Sequence, residues 1–387
     1  MSQLKQLPPL SLYIHMPWCV KKCPYCDFNS HTLGNKLPED EYINALIQDL
    51  ELALPNIWGR TIQTIFIGGG TPSLFSPGAI DKLLINVRNL TNLSPFAEIT
   101  MEANPGTVDN QNIIGYAASG VNRVSLGVQS FNDNYLKILG RIHGRDEAFR
   151  AIDLAKQHFT RVNIDLMYGL PKQTVAEAIS DIDTAISFDP EHLSCYNLTI
   201  EKNTAFFVTP PDNMPDDDLC YEMEEEIVAK LAENGYKRYE VSAYAKNGYE
   251  CGHNINYWQF GDYLGIGAGA HSKISFHDKI VRQVRQKRPG SYIEGVLAAN
   301  LTNQSHIIED KIVKTDELAF EFMLNALRLK DGIPTSLFVE RTGLSLNHVL
   351  SNLNIAANKG LIDLRGGKII PTKRGYGFLN DLVMMFL

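Results

Sequence analysis

Between residues 10 and 200 the chain repeats one pattern six times: a short, charge-poor run rich in β-branched and other apolar residues, then a longer amphipathic stretch. The runs are LSLYIH (10–15), TIFIGG, AEITMEA, NRVSLGV, RVNIDLMYG and HLSCYNLTI. Between them stand EDEYINALIQDLELAL, PGAIDKLLINVRNL, DEAFRAIDLAKQHF and TVAEAISDIDTAISF, whose apolar residues recur at helical spacing. The runs suit strands buried on both faces of a parallel sheet, and parallel neighbours need a crossover helix between them. The pattern therefore predicts an α/β fold with six βα units, either a doubly wound sheet or an incomplete barrel.

The polar residues decide between the two. Cys19, Cys23 and Cys26 follow the first run, and Gly68–Thr71 follow the second. Glu102 ends the third, Gln129 follows the fourth and Asp165 lies in the fifth. In parallel α/β architectures the C-terminal strand ends carry the chemistry, so a barrel with one active mouth is expected. Residues 1–200 form this core, residues 201–305 an extension that completes it, and residues 306–387 a small C-terminal unit. In that unit three helical stretches precede a hairpin, LIDLRGGKIIP, an order that resembles a winged helix. Ten Lys/Arg against eight Asp/Glu over residues 310–387, and a net charge of -8 for the chain, argue against nucleic acid as a partner. No run of about 18 apolar residues is present, so no membrane-spanning helix is expected. The N-terminus lacks the apolar core of a signal peptide, which points to the cytoplasm.

Of six cysteines, Cys195, Cys220 and Cys251 are scattered, whereas CVKKCPYCDF packs three thiols into eight residues. In a reducing compartment such a cluster reads as metal or redox chemistry. Zinc would need a fourth ligand, for which His15 and His31 flank the array. An iron–sulfur cluster on three cysteines instead leaves one iron open for a substrate or cofactor. GGGTP at 68–72 lacks the ending of a phosphate-binding loop, and GIGAGA at 265–270 reads as a strand-end turn.

The Cys-x3-Cys-x2-Cys array after a first strand, with Tyr25 before its last cysteine, resembles the radical S-adenosylmethionine (SAM) superfamily. That resemblance implies a partial (β/α)6 TIM-like barrel, a [4Fe-4S] cluster on Cys19, Cys23 and Cys26, and S-adenosyl-L-methionine on the fourth iron. Were SAM cleaved, an electron donor such as flavodoxin or ferredoxin would be a partner. YIHMPWCVKKCPYCDF, FIGGGTPS, EANPGT, NRVSLGVQSFND, GRIHG, NIDLMYGLP and LGIGAGAHS, in this order, resemble the coproporphyrinogen dehydrogenase and heme chaperone family over nearly the whole chain. Within it Tyr13, Tyr25, Gly69, Gly70, Thr71 and Glu102 match positions that contact SAM. Gln129, Arg141 and Asp165 match contacts to a second SAM in the decarboxylases. An interior Arg141–Asp165 ion pair is the plain alternative.

Two departures separate the branches. Decarboxylases of the family extend the array by a further cysteine, where this chain has Phe28, and they carry a longer N-terminal segment. HNINYW at 253–258 matches a motif associated with heme in the chaperone branch. Imidazole is a standard heme ligand and flat aromatics suit a porphyrin face. The resemblance thus implies a heme chaperone with His253 at heme and a heme-acceptor protein as partner. The alternative is an oxygen-independent coproporphyrinogen III oxidase, and enzymatic activity is left open.

Overall fold

The computed structural model describes residues 4–387. Its principal element is a twelve-stranded sheet in which the six expected strands stand side by side in sequence order: Leu10–Met16, Thr61–Gly69, Asn92–Ala103, Arg123–Gln129, Arg161–Tyr168 and His192–Asn197. Each pairs in parallel with the next. A doubly wound sheet would reverse direction around its first strand; this one winds one way, as a barrel does. A seventh parallel strand, Asp262–Ile266, adds to the free side of the first. It leads into an antiparallel ribbon of His271–Ser275, Ile280–Arg285 and Ile307–Ile312. Lys237–Arg238 and Ile307–Ile312 end the strand order at opposite edges, so the barrel stays open.

Local chemistry accounts for the helices. Pro77–Leu90 starts on Ser76, whose hydroxyl accepts from the Ala79 N–H, with Pro77 supplying a preset φ at the first position. Val175–Ser187 is opened by a capping box of Thr174 and Glu177. Leu46, Leu50, Leu83, Leu84, Ile152 and Ile182 point inward from these crossover helices onto Ile14, Ile65, Ile67, Leu126 and Ile164 on the outer sheet face. Burying a side chain of this kind contributes roughly 1.5–3 kcal/mol.

The strands are not apolar on both faces, as their composition suggested. One side is the helix-covered core; the other carries Ser11 and Tyr13, then Arg123, Ser125 and Gly127, then Asn163 and Asp165, then His192 and Ser194. The inner face is a polar chamber, and its residues were diluted in the sequence by their apolar neighbours at i±1.

Residues beyond Val313 have their own core, built on Leu318, Phe322, Phe338, Leu353 and Ile369 and shared with Phe260 and Ile280 of the larger body. Helices Thr315–Ala326, Thr335–Thr342 and Asn347–Asn358 precede the hairpin Ile362–Arg365/Lys368–Pro371. Gly366 and Gly367 turn the hairpin at positive φ, which glycine adopts without strain. Ile333–Pro334 pairs with the second hairpin strand, giving the winged-helix-like arrangement.

Candidate functional site

The cysteine loop leaves the first strand and folds back on it. His31 N–H bonds to Pro17 O at 2.7 Å and Leu33 N–H to Cys19 O at 2.8 Å. Asn29 is its anchor: Nδ2 donates to the carbonyls of Ala268 and Lys287, both at 2.9 Å. The GIGAGA segment makes this possible as a turn behind the loop. Gly269 has φ +78°, and a Cβ there would stand 2.2 Å from Asn29. From the other side the glycine run after the second strand docks on the loop, with Gly70 N–H on Met16 O and Thr71 N–H on Trp18 O, both 2.7 Å. A Cβ on Gly70 would lie 2.6 Å from Trp18 O, so only glycine permits this approach.

These segments surround a cavity of about 440 Å³ that opens at the C-terminal strand ends and runs into the barrel, a size suited to a cofactor. Cys19, Cys23, Cys26, Tyr25, Gly69, Gly70, Thr71, Glu102, Gln129, Arg141 and Asp165 all line it. The three thiols are free and half-buried, and they flank the cavity without gathering around the position of a single ion. That spacing suits a cluster, which takes one thiolate per iron. A zinc site completed by His15 is incompatible with the geometry. His15 Nε2 donates to Asn29 O at 2.8 Å and Nδ1 accepts from the Tyr13 hydroxyl at 3.0 Å, so both nitrogens are spent. Burial holds that imidazole neutral, down to about 4. Burial also pushes the Cys19 thiol up.

Three charged residues shape the cavity wall. Gly69 N–H donates to Glu102 Oε2 at 3.0 Å, while burial and the nearby Asp165 push the Glu102 carboxyl up to about 7. Asp165 is held by the Ser125 hydroxyl at 3.0 Å and Asn163 Nδ2 at 2.8 Å, and burial raises it too. Arg141 does not pair with Asp165. Its Nη2 donates to Gly127 O at 2.7 Å, its Nη1 reaches Cys23 Sγ at 3.5 Å, and its buried Nε has no partner. A guanidinium beside a thiol of the cysteine loop, with a donor to spare, suits an anionic cluster or a ligand carboxylate. Gln129 has φ +73°, a left-handed backbone rare outside glycine and asparagine and frequent at functional sites.

Two expected residues stand apart from the wall. Tyr13 lies behind it, its ring stacked on cavity-lining Phe66 with centroids 6.3 Å apart. His253 lies deeper, on the short helix Gly252–Trp258 that plugs the barrel at the N-terminal strand ends. Its Nδ1 is 3.0 Å from Thr64 Oγ1, its backbone N–H donates to Glu98 Oε1 at 3.2 Å, and its ring packs tilted against Phe66 with centroids 5.2 Å apart. Burial lowers it to about 4. Asn254, its neighbour, reaches the cavity. Tyr257 packs on Trp258 and Tyr263, and Trp258 lies under Arg328 of the C-terminal unit at 4.3 Å. Phe28, in place of a further cysteine, is 64% exposed at the cavity rim.

Residues that single positions did not flag complete the chamber. Tyr239 OH bonds His192 Nε2 at 2.8 Å, His192 Nδ1 bonds Asn163 Oδ1 at 2.6 Å, and Asn163 holds Asp165. Arg123 lines the cavity beside them. The signal available for Arg123, Asn163 and His192 was alternation, because each sits two residues from another polar residue on its strand, whereas Tyr239 lies just past a strand end and offered no such signal.

Comparison with known proteins places the chain in a family. The radical SAM superfamily pattern matches residues 13–185, and the HemN C-terminal domain matches residues 313–378. The heme chaperone HemW of Escherichia coli (strain K12) is 46% identical over 99% of both chains. That of Bacillus subtilis (strain 168) is 34% identical over 97% of this chain and 99% of its own. Among solved structures, coproporphyrinogen III oxidase (HemN) from Escherichia coli, a radical SAM enzyme, superposes with a TM-score of 0.82 at 25% identity, covering 98% of this chain and 90% of that one. A three-thiol loop at the mouth of an open parallel barrel, a matching C-terminal unit and this full-length kinship lead to one assignment: the chain belongs to the radical SAM superfamily and, within it, to the heme chaperone HemW family.

Proposed function

We propose that the protein binds a [4Fe-4S] cluster, SAM and heme, and passes the heme to an acceptor protein. The observation that carries this reading is the kinship to heme chaperones along the full chain, with an exposed Phe28 where the decarboxylases of the family place a further cysteine. Cys19, Cys23 and Cys26 are the residues to hold the cluster, which leaves one iron for SAM. Bound SAM would supply a sulfonium at that iron. Around it the chain has fixed tasks. Gly69 and Gly70 let the backbone come close, Glu102 offers Oε1 to hydroxyl groups, and Arg141 offers Nε to a carboxylate. For heme, His253 is the candidate ligand; its Nδ1 bond to Thr64 fixes the ring orientation and leaves Nε2 as the nitrogen for a metal. The compartment is proposed to be the cytoplasm, where six free thiols persist; no helix is long and apolar enough to cross a membrane among the described residues.

The second reading, coproporphyrinogen III oxidase, draws on the close fold match to that enzyme. One experiment separates the two. The anaerobically reconstituted protein is given coproporphyrinogen III with SAM and a reductant, and separately heme with an apo-hemoprotein. Transfer of heme without formation of protoporphyrinogen supports the chaperone; decarboxylation at a steady rate refutes it.

A further inference from the structure

Asp49 is a carboxylate that the cavity does not use. It lies on the helix Glu39–Ile57, has no exposed surface, and faces the turn that follows the seventh parallel strand. Four donors fill its lone pairs. Gly267 N–H at 3.2 Å and Tyr292 OH at 2.9 Å bond to Oδ2, and Arg285 Nη2 at 3.3 Å and His306 Nε2 at 3.2 Å bond to Oδ1. Burial alone would raise this carboxyl, but Arg285 and His306 more than offset it and hold it below the usual carboxylate range. As a source of stability a buried ion pair is poor, since apolar residues of similar volume often do as well. Apolar residues could not hold a backbone N–H, and Asp49 holds that of Gly267.

Tyr42 stands two turns before Asp49 on the same helix, so both side chains leave it on one face. Its hydroxyl accepts from the next amide, Ala268 N–H, at 2.9 Å and donates to His15 O, at the end of the first strand, at 2.7 Å. The helix thus grips two consecutive peptide N–H groups, and the Ala268 carbonyl is left to Asn29 Nδ2 at 2.9 Å. Asn29 lies three residues beyond Cys26, and its own carbonyl accepts from His15 Nε2 at 2.8 Å. Its second acceptor, Lys287 O, lies two residues past Arg285. Each carbonyl that anchors the thiol loop therefore stands within two residues of a group that Asp49 holds: Ala268 beside Gly267, Lys287 after Arg285. We propose that Asp49 is a positioning residue for the thiol loop. By tying Gly267 to Arg285 it sets the spacing of the two carbonyls that Asn29 bridges, and with it the placement of Cys19, Cys23 and Cys26 at the cavity. The inference rests on the reading of those thiols as cluster ligands.

The test compares full-length variants: Asp49→Ala, the double Asp49→Leu/Arg285→Met, Asn29→Ala, and Leu83→Ala as a core truncation on another helix. Amide hydrogen exchange is followed in the cluster-free protein, and the EPR spectrum of the reduced cluster after anaerobic reconstitution. The reporters of exchange are the amides of His31 and Leu33, which bond back across the loop to Pro17 and Cys19. Asp49→Ala and Asn29→Ala should each speed their exchange roughly tenfold, the effect of about one lost hydrogen bond, and should alter the EPR spectrum. Leu83→Ala should lower the thermal midpoint and do neither. The double variant removes the charge together with its partner, so it should regain thermal midpoint over Asp49→Ala yet keep the fast exchange. Wild-type exchange in the double variant would overturn the proposal and leave Asp49 a stabilising ion pair. A wild-type EPR spectrum in Asp49→Ala, or an equal loss of loop protection in Leu83→Ala, would overturn it as well. Asp49→Asn, closest in shape, replaces Asp49→Ala if the alanine variant does not fold. Wild type without iron–sulfur absorption would sink the cluster reading, whereas the exchange measurement, made without iron, would still decide the role of Asp49.

Discussion

Gly69 and Glu102 are joined by a 3.0 Å hydrogen bond from backbone N–H to Oε2, between the ends of the second and third barrel strands. Gly69 can make it because φ is +113° and the His15 ring fills the space of a side chain, 2.4 Å from where a Cβ would stand. The glycine turn thus holds one oxygen of the carboxylate and leaves the other to a ligand. Burial and Asp165 work against its charge.

That opposition makes Glu102 visible in the pH dependence of stability. Its folded pKa, pushed up to about 7, exceeds its unfolded value of 4.5. Between those values the folded chain binds more protons than the unfolded one, so stability falls as pH rises through the window and the cost is complete above about 7. Chemical denaturation of the cluster-free protein at pH 5, 6, 7 and 8 should show this decline. Glu102→Gln should flatten it; an unchanged slope would mean that another group titrates there.

The cluster loop gives a second prediction. Reconstituted anaerobically, wild type should bind about four irons with the broad visible absorption of an iron–sulfur cluster. Cys19→Ala, Cys23→Ala and Cys26→Ala should each lose it, while the thermal midpoint of the cluster-free protein stays within a few degrees. Tight stoichiometric zinc in place of iron would contradict the assignment.

Catalytic silence is the third expectation. The protein should bind SAM but not convert coproporphyrinogen III to protoporphyrinogen, as followed by porphyrin fluorescence after oxidation. Phe28→Cys should not rescue conversion, since Phe28 is exposed at the rim and the three-cysteine set is complete without it.

His253 and Trp258 should separate by observable. His253→Ala should shift the Soret band and weaken heme binding, since it removes a metal bond. It should also cost roughly 1–3 kcal/mol, because buried Thr64 loses its partner on the imidazole, while the backbone N–H of residue 253 keeps its bond to Glu98. Trp258→Ala should act chiefly on stability, by about 2 kcal/mol, through its contacts with Arg328 and the C-terminal core. An unchanged Soret band in folded His253→Ala would turn attention to exposed His271, which stands opposite Gly265 on the neighbouring strand.

Much of this molecule is readable before folding, and the unread part has a physical cause. All six βα units, the thiol loop and both glycine turns are legible because local composition fixes them. The seventh parallel strand escaped because it lies more than 200 residues from its partner, next to the first strand only in space. Arg123, Asn163 and His192 were missed because one strand serves two environments, apolar against the helices and polar toward the chamber. Arg141 and Asp165 look like natural partners by charge, yet Gly127 O and Ser125 Oγ outcompete that pairing by proximity.

Asn29 ties the thiol loop to two carbonyls far along the chain, at Ala268 and Lys287. Neither bond passes through a thiol, so the loop is fastened to the body of the fold at a point separate from Cys19, Cys23 and Cys26. Ordering the loop therefore draws on chain contacts as well as on whatever the thiols hold, which lowers the conformational entropy left to be lost when they take up a group.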